Sequence, residues 1–199
     1  PEDMTLTEFS VDGSSLGKVT PTMLEKLVET SVFEMQGDSL TLSSDAGTTC
    51  DSRTKAVNTV MQDLREQGVV TGWRDELYPI SDGFYKDPIF LMERAAVPVI
   101  GGLEYGVHLN GLVRKEGGEV MMWMARRSPE KATYPSMLDH MVAGGQPAGM
   151  TLADNVVKEC EEEAGIPEDV TKAGVQAAGA ISYETLKKDG ISRAVLFCY

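Results

Sequence analysis

Cysteine is sparse in this chain. There are three, Cys50, Cys160 and Cys198, and no two form a C-x-x-C pair. This count and spacing suggest free thiols in a reducing intracellular compartment. Histidine is rarer still, with only His108 and His140, and a packed or hydrogen-bonded ring is the expected role of each. Positive charge is short as well: 18 Lys and Arg against 31 Asp and Glu leave a net charge of −13. That balance argues against a nucleic-acid partner, which calls for basic surface. No apolar run approaches the roughly 18 residues of a membrane span, so no membrane partner is expected. Walker loops, G-x-S-x-G elbows and zinc-ligand spacings are missing. So are internal repeats and low-complexity linkers.

What is present suits a folded domain. The 199 residues are 42% apolar and 25% charged, ordinary for a soluble globular protein and enough for one large or two small domains. Thr20-Pro21 opens a helix through about Glu29, with threonine as cap and proline in the first turn. A stronger helix spans Ser52 to about Gln67, with Val57, Val60, Met61 and Leu64 as its apolar stripe and Gly68 as its stop. Leu16 to Val19, Val69 to Trp73 and Glu76 to Ile80 read as strands, and Ile89 to Ala96 as a short helix. A boundary falls near Val97 to Gly102, giving an α+β domain over 1–97 and a second domain over 98–199. In the second, Tyr105 to Val113, Glu119 to Arg126, Gly174 to Tyr183 and Ser192 to Tyr199 read as strands.

The most informative segment is Thr151 to Gly165, TLADNVVKECEEEAG. At 100° per residue it gathers Leu152, Ala153, Val156, Val157, Cys160 and Ala164 on one arc, the expected buried face. Glu159, Glu162 and Glu163 share an adjacent arc, while Glu161 points away. Thr151 with Asp154 reads as a capping box, and Gly165 followed by Pro167 as the stop. The last turn is poorly matched to the macrodipole. Three carboxylates crowd its negative end, each at a cost of about 0.3–1 kcal/mol, and a divalent cation would relieve that repulsion. The competing reading is a solvated acidic face.

The spacing decides between the two. Gly144, followed by Lys158-Glu159-Cys160-Glu161-Glu162-Glu163-Ala164-Gly165-Ile166, resembles the Nudix box, with Gly144, Glu159, Glu162, Glu163, Gly165 and Ile166 in register. Three positions depart. Met150 stands where the box has a glutamate, Lys158 where it has arginine, and Cys160 where it has a bulky aliphatic. Cys160 still serves as a small apolar residue, whereas Lys158 keeps the charge without the planar fork. The run over 135–167, with GWRDELYP (72–79) and ERAAVPVIGGLEYGVHLNGLV (93–113), is similar to one subgroup. These are the Nudix hydrolases related to the domain fused to thiamine pyrophosphokinase in some fungi and found alone in plants and algae. The resemblance covers nearly the whole chain and implies an α/β/α sandwich with a mixed sheet behind a small α+β domain. It also implies that the chain, which starts at Pro1 and stops within the apolar run Ala194 to Tyr199, is a fragment truncated in its last domain.

The resemblance further implies a chemistry. Glu159, Glu162 and Glu163 would hold Mg²⁺ or Mn²⁺, which keeps water ligands while bridging carboxylates to phosphate. The substrate class is a small-molecule diphosphate, specifically oxidised thiamine diphosphate analogues such as oxo- and oxythiamine diphosphate. Glu159 or a residue after Tyr199 is the base. Gly144 and Gly145 admit close backbone approach. Arg126, Arg127 and Lys131 are candidates to receive the diphosphate, or else solvated loop charge. Trp73, Tyr78 and Trp123 are candidates to stack on a cationic ring, or else core, and Met121, Met122 and Met124 read as strand core and sheet surface. Two rival functions stand beside this one: hydrolysis of a nucleoside diphosphate compound such as ADP-ribose, and a non-catalytic diphosphate- or protein-binding module. Oligomeric state is left open.

Overall fold

A computed structural model describes residues 4–131 and 134–199. The chain divides into two compact units, one comprising Pro1–Glu104 with Tyr183–Ala194, the other Tyr105–Ser182 with Val195–Tyr199. Both mix helices with sheets, so the fold is mixed α/β, the class the sequence predicts.

In the first unit, β1 (Thr7–Val11), β2 (Ser14–Val19), β3 (Phe33–Gln36) and β4 (Ser39–Leu42) form a sheet of order β2-β1-β4-β3. Its one parallel pair is β1 with β4. Helix α1 (Pro21–Val28) is capped by Thr20, and α2 (Cys50–Glu66) by a reciprocal Thr49–Ser52 box. All four stripe residues of α2, Val57, Val60, Met61 and Leu64, are buried in a core with Phe9, Leu27, Leu40 and Phe90. Strands β5 (Leu77–Ile80) and β6 (Phe90–Glu93) pair antiparallel, and α3 (Val97–Ile100) follows.

Two expectations fail in this unit. Ile89 to Ala96 is β6 followed by a 3₁₀ turn, not a helix. The side chains of α2 take over the strand's edge: Asn58 Nδ2 donates to Leu91 O at 2.9 Å, the Glu93 amide donates to Asn58 Oδ1, and the Leu91 amide donates to Thr54 Oγ1. Partners 30 or more residues away override local propensity. Val69 to Trp73 forms no strand either; the Val69 and Val70 amides return to Leu64 O to close the end of α2.

The second unit is built on β7 (Leu103–Leu109), which it holds from Tyr105 on. Then come β8 (Leu112–Arg114), β9 (Val120–Met122), β10 (Ala125–Arg126), β11 (Leu138–Asp139), β12 (Val142–Gly145), α4 (Leu152–Ala164), α5 (Glu168–Gly174), β13 (Gly179–Lys187), which it holds through Ser182, and β14 (Gly190–Cys198), which it holds from Val195 on. The sheet order is β12-β7-β14-β13. Val107, Leu109, Val142, Val156 and Cys160 make the core beneath α4.

Two expected long strands are each split. Tyr105 to Val113 breaks at Asn110-Gly111, where a Cβ on Gly111 would lie 2.3 Å from Met141 Sδ. Glu119 to Arg126 breaks at Trp123-Met124. The expected strand from Gly174 begins only at Gly179, after α5. Trp123 and the methionines Met121, Met122 and Met124 are exposed, so none of them serves as core. No helix among the described residues is long and apolar enough to cross a membrane.

Candidate functional site

The sequence dictates where α4 begins and ends. Thr151 Oγ1 accepts from the Asp154 amide and donates to Asp154 Oδ2 at 2.6 Å. Gly165 adopts φ +62°, with the Gly165 amide returning to Glu161 O and the Ile166 amide to Cys160 O. This left-handed turn satisfies carbonyls that the last turn would otherwise leave open. Between these ends the buried face differs from the expected one. Val156 and Cys160 are buried, but Ala153 and Ala164 are exposed, and Asn155 is fully buried in their stead. A polar side chain in that position requires partners.

Asn155 has them on β12 and in the loop that follows. Its Nδ2 donates to Gly145 O at 2.9 Å and to Gln146 Oε1 at 3.0 Å. Gln146, 4% exposed, donates through Nε2 to Met150 O at 2.6 Å, and its amide donates to Tyr105 O. Asn155 Oδ1 is buried with no hydrogen-bond partner, an omission that costs about 1–3 kcal/mol. Sequence reasoning missed both amides. The available signal was an Asn, a poor helix former, standing four residues before Glu159 on the same helical row.

Each box glutamate has its own setting. Glu159 lies over Gly144, where a Cβ would stand 2.2 Å from Glu159 Cδ and 2.6 Å from Oε1. The absent side chain of Gly144 is therefore what admits the carboxylate. Lys158 Nζ bridges Glu159 Oε1 at 3.0 Å and Glu162 Oε2 at 2.8 Å. The side chain of Glu159 is 12% exposed, that of Glu162 58%. The hydrogen bond to Glu162, helped by Glu159 and opposed by burial, pushes the Lys158 ammonium above its usual pKa. Glu163 Oε2 accepts from the Ala143 amide at 2.9 Å. Burial, reinforced by the Glu159 charge and opposed by a hydrogen bond with Thr171, pushes up the Cys160 thiol.

A divalent ion suits this donor set. An ammonium already sits between two of the carboxylates, and hard oxygen donors are what Mg²⁺ and Mn²⁺ take. Among the described residues, the side chains as placed do not gather three acidic or imidazole groups around one point. Glu159 and Glu162 are brought together through Lys158, while Glu163 is turned to β12.

The basic candidates lie on and after β10. Arg126 donates to Ser136 O at 2.7 Å, and Arg127 pairs with Asp139 at 2.7 Å, both side chains about three-quarters buried. Lys131 is exposed. Burial raises the Asp139 carboxyl, but hydrogen bonds from Arg127 and the His140 amide outweigh it and hold the group below its usual range. His108, cross-strand from Ala143, lies 4.0 Å from the His140 ring. Burial first, then the His140 charge, depress its pKa against the pull of Asp139. The rings of Tyr78 and Trp73 are faced by Arg94 and Arg65, at 5.5 and 4.9 Å.

The chain is similar to known proteins. A family model for the domain of unknown function DUF4743 matches residues 2–103. Nudix hydrolase 20, chloroplastic, of Arabidopsis thaliana is 46% identical over 149 residues, 75% of this chain and 39% of that protein. Nudix hydrolase 24, chloroplastic, of the same plant is 43% identical over 149 residues, 75% of this chain and 40% of that one. The chain thus spans about two fifths of the length of these relatives. A crystal structure of a MutT protein from Methanosarcina mazei Go1 aligns over 48% of this chain and 62% of its own, at 26% identity and a TM-score of 0.35.

Proposed function

We propose that this chain, which belongs to the family of the domain of unknown function DUF4743 and is a relative of the Nudix hydrolases, carries the metal helix of a hydrolase that cleaves diphosphate bonds. The observation that carries this reading is the Lys158 ammonium held by Glu159 and Glu162, with Glu159 admitted by Gly144. An ammonium marks a place where positive charge is favourable, and Glu159, Glu162 and Glu163 are the residues that would hold Mg²⁺ or Mn²⁺. Such an ion screens the diphosphate, acidifies a bound water and steadies the leaving phosphate.

The chain's own residues have distinct tasks in this reading. Glu159, nearly buried and held by Lys158, is the proton acceptor for the attacking water. Glu163 fixes the strand carrying Gly144 by accepting from the Ala143 amide. Gly144 and Gly145 present backbone where a phosphate approaches. Arg127, steered by Asp139, with Arg126 and Lys131 beside it in sequence, receives the diphosphate. For the substrate we propose an oxidised thiamine diphosphate analogue, cleaved to the monophosphate and phosphate; the similarity over 72–79, 93–113 and 135–167 supports it. The compartment we propose is the chloroplast, after the names of the two Arabidopsis relatives.

A second reading, a binding module without turnover, is favoured by one observation: the three carboxylates do not converge as placed. One experiment separates the readings. The protein is incubated with Mg²⁺ and thiamine diphosphate, oxythiamine diphosphate, ADP-ribose or a nucleoside triphosphate, with Glu162→Gln in parallel. Selective release of phosphate from the oxidised analogue, abolished in the folded variant, is the expected result. Cleavage of ADP-ribose instead overturns the substrate. Binding without cleavage of any compound overturns hydrolysis.

A further inference from the structure

We infer that Asn155, acting with Gln146, is a positioning residue that sets the glycine strand and its following loop against α4; this rests on reading Gly144 and the α4 glutamates as the reactive site. The argument begins with the loop itself. Gln146-Pro147-Ala148-Gly149-Met150 contains no charged residue, so no ion pair fixes it. Gly149, at φ +78° with open space where a Cβ would be, adds no packing. The nearest cation along α4, Lys158, is engaged with Glu159 and Glu162. The Gln146 amide is anchored to Tyr105 O, and what the side chains add is the amide relay. One NH₂ group, on Asn155, ties Gly145 O and Gln146 Oε1, and Gln146 Nε2 ties Met150 O at the loop's far end. Both ends of the loop are therefore held by two side chains, each at least 96% buried.

The placement of Asn155 gives this relay a chemical consequence. Residues four apart share a helix face, and Asn155, Glu159 and Glu163 are successive members of one such row. They meet β12 in order: Asn155 at Gly145 O, Glu159 over Gly144, Glu163 at the Ala143 amide. Three consecutive strand residues are each assigned to one turn of the helix. Asn155 is the only member of this row that donates, and it fixes the direction of the Gly145 carbonyl next to the glycine under Glu159. Displacing that carbonyl shifts Gly144 and the Glu159 carboxylate together. Partners of this kind, which hold a reactive group without touching the reaction, change activity by about 10–100-fold when removed.

The test is hydrogen exchange on the metal-free protein together with steady-state kinetics on Asn155→Leu, Asn155→Asp and Gln146→Leu. Leucine matches the branching of asparagine but cannot donate; aspartate matches its shape and keeps only acceptors. The expected result is exchange at least about tenfold faster at the amides of 144–150, with 107–109 and 156–160 unchanged. Alongside it, kcat falls about 10–100-fold while KM stays within about threefold. The Asn155→Leu/Gln146→Leu double variant is worse than either single, because each single leaves one tie in place, but by less than their sum, because both remove the Asn155–Gln146 bond. Unchanged exchange over 144–150 in folded Asn155→Asp or Gln146→Leu overturns the inference, even if Asn155→Leu fails to fold. So does a loss confined to KM. If the wild-type protein turns over no diphosphate, the hydrolase reading falls by itself, and the exchange measurement still decides whether Asn155 sets the loop.

Discussion

Gly144→Ala isolates the contact on which the site depends. The new Cβ would stand 2.2, 2.4 and 2.6 Å from Cδ, Cγ and Oε1 of Glu159, so something must move. What it meets is the end of a flexible side chain, and Glu159 can swing away. The fold then loses an off-rotamer or rotamer-change cost of about 0.5–1.5 kcal/mol and an ion pair to Lys158 of about 0.2–1 kcal/mol. Together this is about 1–2 kcal/mol, a fall in Tm of roughly 2–8 °C for a chain of this size. The carboxylate, however, leaves its place, and Mn²⁺ affinity measured by calorimetry is expected to drop at least about tenfold. Gly106→Ala is the comparison. There the Cβ meets Gly144 O at 2.7 Å and Leu196 Cδ2 at 2.9 Å, and a backbone oxygen within a paired strand cannot swing aside. That variant is expected to lose more stability than Gly144→Ala. Gly144→Ala with undiminished Mn²⁺ affinity would refute the assignment of Glu159 to the space above Gly144. A larger Tm loss than in Gly106→Ala would refute the claim that only a side chain yields.

Two further tests address charge. Lys158→Met removes the ammonium between Glu159 and Glu162, leaving like charges unrelieved. The metal-free protein should lose about 0.5–1 kcal/mol, while the Tm gain from saturating Mg²⁺ should exceed that of wild type, since ligand stabilisation follows differential binding. An equal or smaller gain would mean Lys158 does not stand in for a cation. Arg127→Met tests the depressed Asp139 carboxyl. A lowered folded pKa contributes stability that is full above the unfolded value, about 3.9, and is lost as pH falls through the folded value. The wild-type advantage in urea midpoint, about 1 kcal/mol or less, should therefore be full at pH 6 and shrink below about pH 4; an advantage that does not change with pH would count against the pairing.

The features legible in the sequence are those set by local rules. The capping threonines Thr20 and Thr151, the stop at Gly165 and the stripe of α2 each follow from residues within one or two turns, and each stands where the pattern places it. Misread elements are those decided at a distance. Phe90 to Glu93 is drawn into a strand by Thr54 and Asn58, more than 30 residues earlier, and no local window contains that information. Tyr105 to Val113 is broken at Asn110-Gly111, where the Asn110 amide donates to Tyr199 O and Gly111 O accepts from the Trp123 amide, both partners far along the chain. The same distinction applies to the site. The positions of Glu159, Glu162 and Glu163 on α4 follow from helical spacing, as does the reach of Lys158 to Glu162 four residues on, but the seating of Glu159 over Gly144 and of Glu163 at the Ala143 amide emerges only with the strand beside them. Asn155 escaped notice because it falls outside the apolar arc, beside Glu159 and Glu162, where periodicity reads a polar residue as solvated, when here it makes a buried bond.

The row Asn155, Glu159, Glu163 also constrains the length of the chain. Steps of four residues advance about 400° and 6 Å, so the row drifts only about 40° per step as it climbs. A single inserted or deleted residue between Asn155 and Glu163 would rotate everything beyond it by about 100°, turning Glu163 off Ala143 and carrying Cys160 out of the core. An insertion before the Thr151 cap or after the left-handed Gly165 would leave the row intact. Between those two residues, spacing is as much a part of the site as identity, and a substitution is a milder change than a shift of one place.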